Sequence, residues 1–301
     1  MKANIGIVGW GEIARLHASQ LKGVGAIVKG VVTRRPHLNL PYPIYDSLGK
    51  MLPHVDAITI AVPNHLHAPL CIQAINAKKP VMVEKPICIN SSDLSKLESL
   101  LPNAKVPVHL GYRLRWNPGI IQLRDQIGGL KKIKCTYRLG IEQLAMDKPW
   151  TRQFATSGGG FFILGVHMLD LARWLADARG KALSDITTTA DCIDSSAEYP
   201  LRVSLSGKLP SGIEIIAGTD LRGDQDSHVD IQIETRQGPF PRHEIPSPQP
   251  EDEEIEYAAL FKNFIEAVKT RHYDGDEIEE VLQTHRELLE ARRLTAKTPL
   301  H

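Results

Sequence analysis

The chain is poor in several features that would each assign it to a large class of proteins. Its 301 residues include four cysteines, Cys71, Cys88, Cys135 and Cys192, with no Cys-x-x-Cys pair. Such spacing argues against a disulfide framework and a zinc knuckle and reads as reduced, packed thiols. An excess of one charge is also missing, since 36 lysines and arginines against 35 aspartates and glutamates leave a net charge of +1. With no long basic run, the electrostatic footprint of a nucleic-acid binder is absent. Nor does a long hydrophobic run open the chain. Met1-Lys2 leads into a short apolar stretch broken by Gly9, Gly11 and Glu12, too short for a signal-peptide core or a membrane span. The expectation is a cytoplasmic protein acting on a small molecule, with neither nucleic acid nor membrane as partner.

What is present is alternation. Residues 4–110 alternate short apolar runs with helix-like stretches, the pattern of a parallel sheet covered by helices on both faces. Strands are expected at 5–8, 27–33, 57–62, 80–83 and 106–110. Helices are expected at 13–21 and 69–76, and a third is capped by Ser91 or Ser92, with leucines at 94, 97, 100 and 101. The character changes after Asn117-Pro118. A helix over 119–127 leads to Ile133, Cys135, Tyr137, Leu139 and Ile141 in strict alternation, and further strands are expected at 201–205, 213–217 and 229–233. These form a largely antiparallel sheet with one face open to solvent or to a partner subunit. The proline-rich, acidic stretch 239–254 reads as a surface loop. Two amphipathic helices close the chain, one carrying Leu260, Phe261, Phe264, Ile265 and Val268, the other Ile278, Val281, Leu282, Leu288 and Leu289. The fold class is therefore α/β: a doubly wound domain over 1–117, then an α+β domain with an open sheet over 118–301.

Gly9-Trp10-Gly11-Glu12-Ile13-Ala14 follows the first strand and opens a helix, the context that a dinucleotide-binding fingerprint requires. Gly9 permits the tight turn, Gly11 lets a pyrophosphate approach the backbone, and Ala14 is small enough for the helix to pack on the sheet. The first domain thus reads as a Rossmann NAD(P)-binding unit. After the second strand come Thr33, Arg34 and Arg35, where an NAD site presents an acidic residue to the ribose and an NADP site an arginine to the 2′-phosphate. NADP is favoured, with NAD as the alternative.

Val62, Pro63, Asn64 and His67 lie in a turn at the C-terminal end of a strand in the same unit, on the side where such sheets bind ligands. The spacing of His65 and His67 could suit a metal, but no third ligand accompanies it, and no metal is expected. Glu84-Lys85-Pro86 ends another apolar run. A lysine in a cleft can change its pKa and move protons. Downstream, Gly158-Gly159-Gly160 opens a helix that puts Ile163, His167, Asp170 and Trp174 along one face. His167 is the candidate substrate-side acid or base, because an imidazole titrates near neutral pH.

In this order, the fingerprint, the turn at 61–67, Glu84-Lys85-Pro86 and the run from Gly111 to Pro118 resemble the glucose-fructose oxidoreductase and inositol dehydrogenase family, Gfo/Idh/MocA. The resemblance covers nearly the whole chain. It implies an NAD(P)-dependent oxidoreductase whose Lys85 lies beside the nicotinamide and hydrogen-bonds the reacting hydroxyl. It also implies a cis peptide before Pro86, with Glu84 and Pro86 at the cofactor. Tyr112, Arg115, Trp150 and Arg152, with Ile163 and His167, would line a pocket for a sugar, cyclitol or nucleotide-sugar. A homodimer or homotetramer through the C-terminal sheet is expected, as in the family. One departure stands out. Where the family carries an aspartate or asparagine about four residues before the histidine, this chain has Ile163, or Leu164 if aligned from the glycines. Two alternatives follow, a cofactor-binding sensor that has lost turnover and a reductase of a less polar carbonyl or imine.

Overall fold

The computed structural model describes residues 2–34, 39–142, 148–191, 197–222, 227–246 and 250–295. Six parallel strands build the first sheet: β1 (Asn4–Val8), β2 (Ile27–Val32), β3 (Ile44–Tyr45), β4 (Ala57–Ile60), β5 (Val81–Val83) and β6 (Val108–Leu110). Their order is β3-β2-β1-β4-β5-β6, so the winding reverses between β1 and β4 and opens a crevice at the strand C-termini there. Residues of β4 and β5 are buried on both sides, which explains their continuous apolar runs. The covering helices are α1 (Glu12–Gly23), α2 (His67–Asn76) and α3 (Ser91–Ala104). The cap of α3 is one residue earlier than expected. Asn90 is in extended conformation, and its side-chain oxygen accepts a 2.8 Å bond from the Asp93 amide.

After α4 (Pro118–Gln126), capped by Asn117, the chain enters a second sheet. Its strands are β7 (Leu130–Arg138), β8 (Ser184–Asp191), β9 (Arg202–Lys208), β10 (Glu214–Asp220), β11 (His228–Thr235), β12 (Gly238–Pro239) and β13 (His243–Pro246). Every pairing is antiparallel except that of β7 with β10. The alternation read in β7 buries Ile133, Cys135 and Tyr137 and turns Lys132, Lys134 and Thr136 outward.

That outer face is polar. Thr187 and Ser206 are bonded across it at 2.7 Å and Thr189 and Ser204 at 2.8 Å. Among the described residues, the large hydrophobic side chains left exposed, Ile27, Ile121, Phe154 and Ile255, all lie elsewhere. Among the described residues these strands thus present hydroxyls and charges outward.

A π-helical turn, Phe161–Gly165, leads into α5 (Val166–Leu175), and α6 (Pro250–Thr270) and α7 (Gly275–Thr295) close the chain. The stretch Phe154–Leu175 is long and apolar enough to cross a membrane, but 83% of its most apolar window is buried inside the fold. The expected loop at 239–254 is instead largely ordered structure. β13 pairs with β11, and α6 begins at Pro250, whose fixed φ suits a first helical position, with acidic residues complementing the helix dipole. Tyr257, Leu260, Phe261, Phe264 and Ile265 of α6 share one core with Ile5, Ile7, Ala14, Ala18 and Leu21 of β1 and α1. The chain thus leaves the first sheet near residue 117 and comes back to it 130 or more residues later.

Candidate active site

The cofactor end is built where β1 turns into α1. Gly9 has φ +104°, and a Cβ there would stand 2.0 Å from the Ala61 carbonyl oxygen, so only glycine fits. A Cβ on Gly11 would meet nothing within 4 Å. Gly11 caps α1 without a side-chain hydrogen bond, which leaves the first amides of the helix facing open space. This cradle fits a pyrophosphate. Trp10 packs edge-on against Tyr42, and Ile13 lies against the α1–α6 core. Glu12 is exposed and forms an ion pair with Lys148 at 3.0 Å. Thr33 and the exposed Arg34 follow β2, while Arg35 lies outside the described residues.

Val62 and Pro63 follow β4, and Asn64 donates a 2.8 Å hydrogen bond to the Ser157 carbonyl, joining this turn to the glycine-rich segment. His67 lies behind the turn, 1% exposed, with its ring nitrogens 2.7 Å from the Pro86 carbonyl and 2.8 Å from that of Val62. It fastens the turn to the Lys-Pro segment and leaves neither nitrogen for a metal. The Lys85-Pro86 peptide is cis.

Glu84 and Lys85 point to different neighbours. Glu84 is buried, and its Oε1 receives hydrogen bonds from Tyr257 Oη at 2.8 Å and His17 Nε2 at 3.1 Å. These bonds, with Lys85 nearby, hold its carboxyl below the usual range against the effect of burial. Lys85 Nζ donates a 2.8 Å hydrogen bond to the main-chain carbonyl of Ile163. Residue 163 therefore takes part through its backbone, and its buried aliphatic side chain offers no proton. That carbonyl lies within the π-helical turn. Burial lowers the Lys85 pKa to about 8; Glu84 opposes the shift, and Arg113 and Lys148 reinforce it.

One turn along the same helix, His167 is 4% exposed, and its Nδ1 is buried without a hydrogen-bond partner among the described residues. Burial, with the cations Lys85 and Arg113, pushes its pKa well below the usual imidazole value, so it is neutral. The Tyr112 hydroxyl is likewise buried and unpartnered among the described residues. Arg115, expected to line the substrate pocket, is held by both oxygens of Asp170, with its guanidinium 5.0 Å from the Tyr112 ring centroid. It is committed to the protein. Arg152 pairs with Glu142, and Trp150 is half-buried on the turn Pro149–Arg152.

Several residues at the site were not singled out from sequence. Arg113 is buried and pairs with Glu256 and Glu253 of α6, and its field reaches both Lys85 and His167. His17 bridges Glu84 and Thr59 Oγ1, the latter at 2.8 Å. No local pattern marks them, because their partners lie 42 to 143 residues away.

Residues 3–112 match the Gfo/Idh/MocA oxidoreductase family over its NAD-binding Rossmann fold. The likeness to that family is carried by this domain. It is 29% identical over 186 residues to the rhizopine catabolism protein MocA of Rhizobium meliloti, covering 57% of this chain and 56% of that protein. The chain spans about half the length of the curated relatives it matches. GenD2 from gentamicin A biosynthesis, solved in complex with NAD, superposes with a TM-score of 0.86 at 16% identity over 98% of this chain and 95% of its own. Scyllo-inositol dehydrogenase of Lactobacillus casei, solved with NAD(H) and scyllo-inositol, gives 0.78 at 19% identity over 99% and 98%. At these identities the likeness establishes the fold.

Proposed function

We propose that the protein is an NAD(P)-dependent oxidoreductase that moves a hydride between a nicotinamide and a secondary hydroxyl or ketone of a sugar, cyclitol or nucleotide-sugar. The observation that carries this reading is Lys85, whose ammonium meets the Ile163 carbonyl at 2.8 Å, one helical turn before a neutral His167 whose Nδ1 has no partner among the described residues. Gly9, Gly11 and the first amides of α1 would hold the pyrophosphate, with Val62, Pro63 and the Lys85-Pro86 segment along the remainder. When bound, the dinucleotide supplies a carbon that accepts or gives up hydride. The proton belongs to the protein. As an amine, Lys85 takes the hydroxyl proton of an alcohol; as an ammonium, it gives a proton to the oxygen of a ketone and stabilises the alkoxide-like charge. His167 orients that oxygen through the nitrogen that has no other partner.

Tests follow directly. A panel of sugars, cyclitols and nucleotide-sugars assayed by nicotinamide absorbance should yield a substrate, and Lys85→Ala should lower its kcat by roughly a hundredfold or more, the usual contribution of a positioned proton donor. Undiminished kcat would remove Lys85 from the mechanism. Cofactor bound tightly with no turnover across the panel would favour the sensor reading, which the aliphatic Ile163 motivates. The buried Phe161, Phe162 and Ile163 favour extending the panel to apolar ketones and imines. Arg34, exposed at the end of β2, supports NADP over NAD, and Arg34→Asp should reverse the ratio of their KM values. Equal use of both by the unaltered protein would sink that preference. Assembly into a dimer or tetramer through the second sheet would rest on hydroxyl and charge pairing across its polar face.

A further inference from the structure

Lys148 precedes the turn Pro149–Arg152 in the second half of the chain, yet its ammonium lies 3.0 Å from Glu12, the first residue of α1. The main chain behind it is fixed. Its carbonyl accepts from the Thr151 amide at 2.9 Å and from Thr151 Oγ1 at 2.7 Å. The Thr151 carbonyl in turn accepts from Tyr199 Oη at 2.7 Å, and the Arg152 carbonyl from the Glu198 amide at 3.0 Å. The charge is therefore carried on a built turn and held against the other half of the molecule. Its field also reaches Lys85.

The ion pair does little for folding. Its side chains are 36% and 67% exposed, and pairs of that kind contribute about 0–1 kcal/mol. Glu12, moreover, sets a carboxylate beside the amides that would receive a diphosphate, where it repels one. A lysine at that point cancels the repulsion and brings three donors of its own.

We propose that Lys148 is a phosphate ligand of the dinucleotide, supplied across the cleft by the second half of the chain, with Glu12 holding it in place until the cofactor arrives. The inference rests on the NAD(P)-binding reading given above. It is tested by calorimetric titration of NADH and of ADP-ribose, which keeps the diphosphate but lacks the nicotinamide, into the full-length protein and its Lys148→Met, Lys148→Arg and Glu12→Gln variants.

Lys148→Met should weaken both ligands about ten-fold, the worth of one charge-assisted hydrogen bond. Lys148→Arg should stay within about three-fold, since the guanidinium keeps the charge and the donors. Glu12→Gln should tighten both, because the repelling carboxylate is gone. Thermal midpoints report that the variants fold. Unchanged affinity in Lys148→Met, a loss for NADH without one for ADP-ribose, or weakening by Glu12→Gln equal to that of Lys148→Met would each overturn the proposal and leave a surface ion pair. If the unaltered protein bound neither ligand, the NAD(P)-binding reading itself would fail, and this one with it.

Discussion

Lys85 holds its proton less firmly than an ordinary lysine because burial disfavours the ammonium, bringing its pKa to about 8. The charges that face it are mixed: Glu84 and Glu253 favour the ammonium, and Arg113 and Lys148 oppose it. Below that pH the group is a donor, above it an acceptor. Ketone reduction should therefore fall as pH rises through about 8, and alcohol oxidation should rise through the same value. His167 stays neutral throughout and adds no break of its own in that range. Profiles of kcat/KM in both directions check this, and a flat profile through the region would count against Lys85 as the proton carrier. Lys85 and His167 could be singled out from sequence because each sits in a local motif. The pairing of Arg115 was not legible, because Asp170 lies 55 residues away and charge in a sequence carries no label of its partner. The role of residue 163 was hidden for another reason: a main-chain carbonyl is the same in every residue type.

Between helices, the strongest single fastening is Arg173 of α5, fully buried and bonded to Glu280 at 2.5 and 2.9 Å and to Glu287 at 2.7 and 2.9 Å. The two glutamates lie two turns apart on α7, so one guanidinium sets the seating of that helix against the one that carries His167. Arg173→Met would leave two carboxylates in the interior without a cation and should destabilise the protein by about 3–5 kcal/mol. Urea unfolding reads the change as a shift in midpoint at constant slope, and a shift of less than about 1 kcal/mol would mean that the pair is relieved by solvent. Regular elements with a buried face were readable from their period, as β7 and α7 show. β8 was not, because it pairs only with β9 at the sheet edge and its Thr-rich sequence buries little. The start of α6 was obscured by proline and acidic residues, which suit a helix N-terminus as well as a loop.

For the molecule as a whole, the return of α6 to the first sheet argues against two units that melt apart. Phe261 and Phe264 are fully buried in the core that also holds Ile5, Ile7 and Leu21, while α7 is pinned to α5. Heating should give one calorimetric transition whose measured and van't Hoff enthalpies agree, and Phe264→Ala should lower it as a single peak, by about 3–5 kcal/mol. Two resolved peaks would refute that cooperativity. The alternation over 4–110 and the change of pattern after Asn117-Pro118 suggested a two-part plan, but a local reading of residues 118–301 could not show that part of this stretch packs on the first sheet. The same arrangement bears on synthesis. On the ribosome, the strand and helix that would hold the dinucleotide emerge well before residues 257–265, which complete the cover of their inner face. Ile5, Ile7 and Leu21 thus form a sticky nascent surface for most of translation, and chaperone demand should be concentrated on that interval.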